Sequence, residues 1–172
     1  MSRPLQVVVL GAGGLGGYVG ATLARSGCQV TLVARGDHLA ALRERGLRVS
    51  DHKGESLVSL DAVEKATELG SADVAFVAVK THALEGIAPQ AVALAERGAV
   101  IVPLLNGVEA PARLERAGAP AASIAPGVAY LTAFLTGPGQ VTRVGNHGRI
   151  VVGCGGGQPE LPLSALVPAF GV

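Results

Sequence analysis

Residues 7–17 read Val7-Val8-Val9-Leu10-Gly11-Ala12-Gly13-Gly14-Leu15-Gly16-Gly17. A β-branched, apolar run passes straight into a glycine-rich turn, and a helix-like segment follows. That order predicts a strand–turn–helix unit suited to gripping a pyrophosphate. Gly11 allows the tight turn, Gly13 leaves room for a phosphate to approach the backbone, and Gly16 lets the new helix lie close to its strand. The helix N-terminus offers unpaired N–H donors to the anion. A bare G-x-G-x-x-G is weak evidence. Its place directly after a strand and at the opening of a helix raises it above chance. The alternative is a tight strand–helix turn with no ligand.

Outward from this stretch, short β-rich runs alternate with helical ones. Residues 5–10 read as the first strand and 14–26 as a helix that Gly27 ends. Residues 29–34 are a second strand, and 38–45 a helix stopped by Gly46, with Asp37 as its N-cap. Residues 47–50 and 55–60 are short strands around the turn 51–54. Residues 73–79 form a continuous apolar run, as expected of a strand covered on both faces. A helix over 83–96 is expected to break at Pro89, with Thr81 capping its start. A strand over 99–105 and a short helix over 108–116 complete the alternation. This pattern predicts an α/β fold, a Rossmann-like parallel sheet with helices on both faces. Ligands then sit outside the C-terminal ends of the strands.

The character changes after Ala117. Residues 123–136 are apolar and β-branched, Gly137-Pro138-Gly139 turns the chain, and 140–144 and 149–152 read as two further strands. A short antiparallel β extension, a meander, is therefore expected after the nucleotide fold. Residues 154–159 read as a glycine-rich breaker and 161–170 as weakly helical.

Composition sets limits. With 172 residues, 49% of them hydrophobic, the chain makes one full domain and is too short for two ordinary ones. Fourteen basic residues face 13 acidic ones, aromatics are 3%, and Trp is absent. Nucleic-acid binding needs a positive footprint and stacking surfaces, so it is not expected. Cys28 and Cys154 make neither a disulfide framework nor a metal spacing, so no metal is expected and a cytoplasmic setting fits. Glycines interrupt the N-terminal apolar stretch, which argues against a signal peptide. No stretch approaches the roughly 20 residues of a membrane span, so no membrane partner is expected.

The second strand decides the cofactor. NAD binders usually place an acid near its end, about 20 residues beyond the glycines, to bond the ribose 2′-OH. Here the segment is Leu32-Val33-Ala34-Arg35-Gly36-Asp37-His38, and the strand ends on Arg35. A guanidinium pairs bidentately with a 2′-phosphate, which points to NADP. The plainer alternative is a solvated strand-end charge. Lys80 closes another strand, and Asn106-Gly107 ends the next at the same edge. Taken singly, these are an exposed lysine and a turn. Their expected convergence favours a shared cleft, with Asn106 binding cofactor or a substrate oxygen. His38, His52, His82 and His147 lie in separate segments and read as surface or capping residues. No nucleophile context is present.

Five pieces, taken in order, resemble the N-terminal NADP-binding domain of the ketopantoate reductase (2-dehydropantoate 2-reductase) family. They are Gly11-Ala12-Gly13-Gly14-Leu15-Gly16-Gly17, Ala34-Arg35-Gly36-Asp37-His38-Leu39, Gly46-Leu47-Arg48-Val49, Val79-Lys80-Thr81-His82 and Leu105-Asn106-Gly107-Val108-Glu109. A looser sixth runs from Gly139-Gln140-Val141 to Val151-Val152-Gly153. The resemblance implies NADPH-dependent reduction of 2-dehydropantoate, a 2-keto acid, to pantoate for pantothenate and coenzyme A synthesis. It implies that Gly11, Ala12, Gly13, Gly14, Leu15 and Gly16 hold the pyrophosphate and Arg35 the 2′-phosphate. Lys80 and Asn106 would line the nicotinamide and substrate cleft, and the Ala133 backbone would approach the cofactor.

It also implies that residues 1–172 are one dinucleotide-binding domain, with 120–155 a β extension and 160–172 the start of a connection to a helical domain that is absent. That second domain carries the family's general-acid lysine. No catalytic residue is therefore expected in this chain, and little turnover from it alone. Arg143 stands where the family usually has a histidine. A reductase of another 2-keto acid and a non-catalytic dinucleotide sensor remain as alternatives, and a homodimer of the full-length protein is left open.

Overall fold

The computed structural model describes residues 3–153; the expected breaker and the weakly helical stretch beyond them lie outside the described residues. Thirteen strands and helices are described. In chain order they are β1 (Gln6–Leu10), α1 (Gly14–Arg25), β2 (Gln29–Val33), α2 (Gly36–Arg45), β3 (Leu47–Asp51), β4 (Gly54–Val58), β5 (Asp61–Val63), β6 (Val74–Val77), α3 (Leu84–Glu96), β7 (Val100–Pro103), α4 (Ala110–Arg116), β8 (Gly127–Gly137) and β9 (Gln140–Val152).

Five strands form a parallel sheet in the order β5-β2-β1-β6-β7. The pleat sends alternate side chains of β1 to opposite faces. Val7 and Val9 join a core with Val19 and Leu23 of α1 and Leu39 and Leu42 of α2. Val8 and Leu10 join a second core with Ile87, Ala91 and Leu94 of α3 and Leu114 of α4. Both faces are thus covered, which is why β1 and β6 read as unbroken apolar runs. The fold is the expected Rossmann-like α/β sheet with helices on both faces.

At the start of β1, the Gln6 N–H donates to Asp73 Oδ2 at 2.8 Å. Arg3 forks onto both Asp73 oxygens, at 2.9 and 2.6 Å. At the far edge the chain entering β8 touches β7: Ile124 bridges Ile101, and the Ala125 N–H donates to the Ile101 carbonyl at 2.9 Å.

The hairpin expected after the nucleotide fold is present, and it is antiparallel. It does not stand alone. β9 pairs with β3 in parallel and β3 with β4 antiparallel, so a mixed sheet forms in the order β4-β3-β9-β8. Helix α1 is packed between the two sheets.

Several local expectations are corrected. β9 is one strand, not two; the stretch between Val144 and Arg149 is absorbed as an irregularity opposite Leu131. β5 was not expected, because three residues carry no periodicity. Arg35, not Asp37, occupies the N-cap of α2, and Asp37 sits in its first turn, where a carboxylate suits the helix dipole. Thr81 opens a 3₁₀ turn, Thr81–Ala83, without side-chain capping. Helix α3 continues through Pro89.

Candidate functional site

Chain order reverses at β1: β2 and β5 lie to one side of it, β6 and β7 to the other. A crevice is expected at such a switch point, beyond the C-terminal ends of the strands. The glycine turn follows β1 there. The loops after β2, β6 and β7 open on the same edge and carry Arg35, Lys80 and Asn106.

The turn's glycines do different jobs. Gly11 has φ +101°, and a Cβ on it would lie 2.6 Å from Val79 Cγ1. A Cβ on Gly16 would collide with the Gly11 carbonyl oxygen, so the helix lies tight on its own turn. Gly14 faces protein: a Cβ there would run into the Ala133 carbonyl of β8. Gly13 alone in the motif has open space around its missing Cβ. It is the N-cap of α1, and no side chain caps the helix. First-turn N–H groups, with the positive end of the dipole, thus face an open hollow.

Two adjoining hollows form a trough over this turn. One, about 720 Å³, is lined by Gly11, Gly13, Gly14, Leu15, Lys80, Asn106 and Ala133, with His82 on its rim. The other, about 400 Å³, is lined by Gly11, Ala12, Gly13, Arg35, His38 and His82. Of the ten residues singled out from sequence, nine line the trough; Gly16 lies behind it as packing. Lys80 is three residues beyond the end of β6 rather than its last residue. The side chains of Arg35, Lys80 and Asn106 are exposed and have no hydrogen-bond or ion-pair partner among the described residues. A third hollow of similar volume, about 730 Å³, lies along β5 between Arg43, Arg45 and Asp61, and it contains none of the glycine-turn residues.

The place of His38 was misread from sequence, and that of Arg143 was not anticipated. His38 is half-buried and bridges two segments: its Nε2 lies 2.7 Å from the Ala12 carbonyl, and its Nδ1 accepts from the Gly139 N–H at 2.9 Å. Burial pushes its pKa below 6.5, partly offset by the bond to Ala12. No sequence signal marks this bridge, because both partners are backbone groups. Arg143 is buried under α1, with its guanidinium carbon 5.3 Å from the Tyr18 ring centroid and Nη1 3.3 Å from the Tyr18 hydroxyl. Its Nε has no hydrogen-bond partner among the described residues.

Among the described residues, no three His, Cys, Asp or Glu side chains are grouped to hold a metal. No helix among them is long and apolar enough to cross a membrane.

Sheet order, switch-point loop and flanking helices define the class: a Rossmann-like α/β protein. The chain belongs to the ketopantoate reductase PanE/ApbA family, whose model matches residues 7–157. It is 37% identical over 105 residues to 2-dehydropantoate 2-reductase of Mesorhizobium japonicum, covering 60% of this chain and 32% of that protein. The crystal structure of a PanE/ApbA family ketopantoate reductase from Ralstonia eutropha superposes with TM-score 0.85 at 28% identity, covering 98% of this chain and 55% of that one. A ternary structure of D-mandelate dehydrogenase with NADH and anilino(oxo)acetate gives TM-score 0.76 at 27% identity, covering 85% of this chain and 47% of that one. The chain spans about half the length of relatives matched along most of it.

Proposed function

We propose that this chain is the NADP-binding half of a reductase that converts 2-dehydropantoate, a 2-keto acid, to pantoate for pantothenate and coenzyme A synthesis. The observation that carries the reading is the Arg35 guanidinium: exposed, unpartnered among the described residues, on a residue that lines the trough where β2 ends. A free guanidinium fits a 2′-phosphate, while an acid at this position would favour the plain ribose. The open Gly13 and the uncapped α1 fit a pyrophosphate. Gly11, Ala12, Gly13, Gly14, Leu15 and Gly16 form the pyrophosphate turn. Lys80, Asn106 and the Ala133 backbone border the nicotinamide end, and Asn106 can hydrogen-bond substrate oxygen.

NADPH, when bound, supplies the hydride. The residues of this chain bind and orient it; a donor for the developing alkoxide is a separate requirement. Lys80 is the only lysine bordering the trough among the described residues, and its role is binding. No general acid is assigned to this chain. Its setting is the cytoplasm, where buried Cys28, whose thiol pKa is raised by burial, stays reduced. The NADH-bound D-mandelate dehydrogenase supports a second reading, a reductase of another 2-keto acid.

The test is direct. NADPH is titrated into the chain and followed by nicotinamide fluorescence, and its oxidation with 2-dehydropantoate is followed separately. Saturable binding with little oxidation is expected. Full turnover by the chain alone would overturn the division of labour. Absence of binding would overturn the reading itself.

A further inference from the structure

His38 ties the glycine turn, 26 residues before it, to the β8–β9 turn, 101 residues after it. On one side is Ala12, in the middle of the glycine turn. Its N–H already donates to the Val33 carbonyl at 3.1 Å, so the histidine holds its remaining polar group. On the other side is Gly139, in the β8–β9 turn. The Gly139 carbonyl accepts from the Arg48 N–H at 2.8 Å, so that turn is also anchored to β3.

The hydrogen-bond pattern fixes the ring's protonation. Gly139 offers an N–H, so Nδ1 must present a lone pair. The one ring proton of the neutral imidazole is then on Nε2, donated to the Ala12 carbonyl. A second proton could go only to Nδ1, where it would point at the Gly139 N–H. Donor would face donor, and that half of the bridge would be lost. The other charged or titratable groups around the hollow are Arg35 and His82, which line it with His38. The Arg35 charge opposes a further positive charge. Asp37 precedes His38 on α2 and is exposed. Leu135 of β8, which lines the hollow with His38, and Gly139, whose N–H bonds its Nδ1, are uncharged.

We infer that His38 is a positioning residue: in its neutral Nε2–H form it clasps the phosphate-facing turn to the β8–β9 turn, and protonating it releases the clasp and weakens dinucleotide binding. The binding half of this inference rests on the function proposed above. His38 touches the turn's backbone, so it acts on the ligand through Ala12 and Gly13. Burial that disfavours the charged ring agrees with this direction.

The test has two arms. Long-range ¹H–¹⁵N spectra of the ligand-free, unaltered chain read the ring nitrogens of His38. The inference expects the Nε2–H tautomer at pH 7.5 and a midpoint below that of free histidine. An Nδ1–H tautomer, or a midpoint at or above the free value, would overturn the clasp. This arm needs no variant to fold.

In the second arm, Kd for NADPH and for NADH is measured from pH 8 to pH 5 with the native chain and with His38→Gln. Glutamine can still donate to Ala12 but cannot titrate. NADH carries no 2′-phosphate, and comparing the two proteins with the same ligand cancels the phosphate's own ionisation. The native Kd is expected to rise about tenfold more than the variant's across that range, the factor that one pKa unit of linkage supplies. Coincident pH profiles would overturn the inference. Absence of binding by either protein at any pH would instead overturn the dinucleotide reading and the binding half with it, while the ring-nitrogen arm still judges the clasp.

Discussion

One methyl group, placed at Gly13 or at Gly14, separates the ligand-facing glycine of the turn from the protein-facing one. At Gly13 an added Cβ meets nothing within 4 Å, and the backbone, at φ −68° and ψ −165°, is open to alanine. Alanine caps a helix about 0.5 kcal/mol less well than glycine. Stiffening the unfolded chain returns about as much. Gly13→Ala should therefore leave stability within about 0.5 kcal/mol. At Gly14 the Cβ would also lie 2.6 Å from both the Ala133 carbonyl carbon and Phe134 Cα. These are backbone atoms and cannot swing aside. Overpacking of this kind costs about 3 kcal/mol, and alanine's helix propensity returns at most about 1. The net loss is about 2 kcal/mol, or roughly 4–8 °C in Tm for a chain of this length.

Thermal and urea melts of both variants, with NADPH titrations beside them, make the comparison. Gly13→Ala should melt like the native chain and bind at least about tenfold more weakly, because the methyl fills the phosphate's approach. A native-like Tm for Gly14→Ala would refute the packing argument. Undiminished binding by Gly13→Ala would refute the phosphate argument.

Three further outcomes follow from the structure. Asp73 is pushed up by burial, but its bonds to Arg3 and the Gln6 N–H, with the Arg3 charge, more than offset this and leave its pKa below 3.8. Its stabilisation is therefore full above about pH 4 and is lost as pH falls through the folded value; the Tm gap between native chain and Asp73→Asn should close along that acid limb. For His38, the depressed pKa means stability is complete above pH 6.5 and declines below it, so the Tm of the native chain should fall faster than that of His38→Gln between pH 6.5 and 5. Arg143→Met removes a buried, unpartnered Nε at the cost of one hydrogen bond and one ring contact; urea melts should show a change within about 1 kcal/mol, whereas Leu94→Ala, in the α3 core, should lose about 2–5 kcal/mol.

Much of the fold was legible in sequence because its signals are local. The run Val7–Leu10 entering a glycine turn, and glycines such as Gly27 and Gly46 closing helices, need no tertiary information. The misses arise where partners decide. β5 is Asp61-Ala62-Val63, a strand only because β2 pairs with it. Pro89 deprives α3 of one N–H donor at a cost of about 3 kcal/mol, yet Ile87, Ala88, Ala91 and Leu94 are buried around it, at about 1.5–3 kcal/mol for each large side chain. The join of β9 to β3 lies between segments some 90 positions apart and has no local signature. In the trough, glycine spacing and Arg35 at the end of β2 were readable. His38 was not, because its two bonding partners are backbone groups, and any residue type carries those.

The central claim, that Arg35 makes this a site for NADP, is tested most directly by equilibrium titration of the chain and of Arg35→Ala with NADPH and NADH. The account predicts that the native chain prefers NADPH by about 10- to 100-fold, the worth of a charged hydrogen-bonded pair of about 1.5–3 kcal/mol, and that Arg35→Ala abolishes this preference while leaving NADH binding unchanged. Equal affinity for the two dinucleotides, unaltered by the substitution, would contradict it.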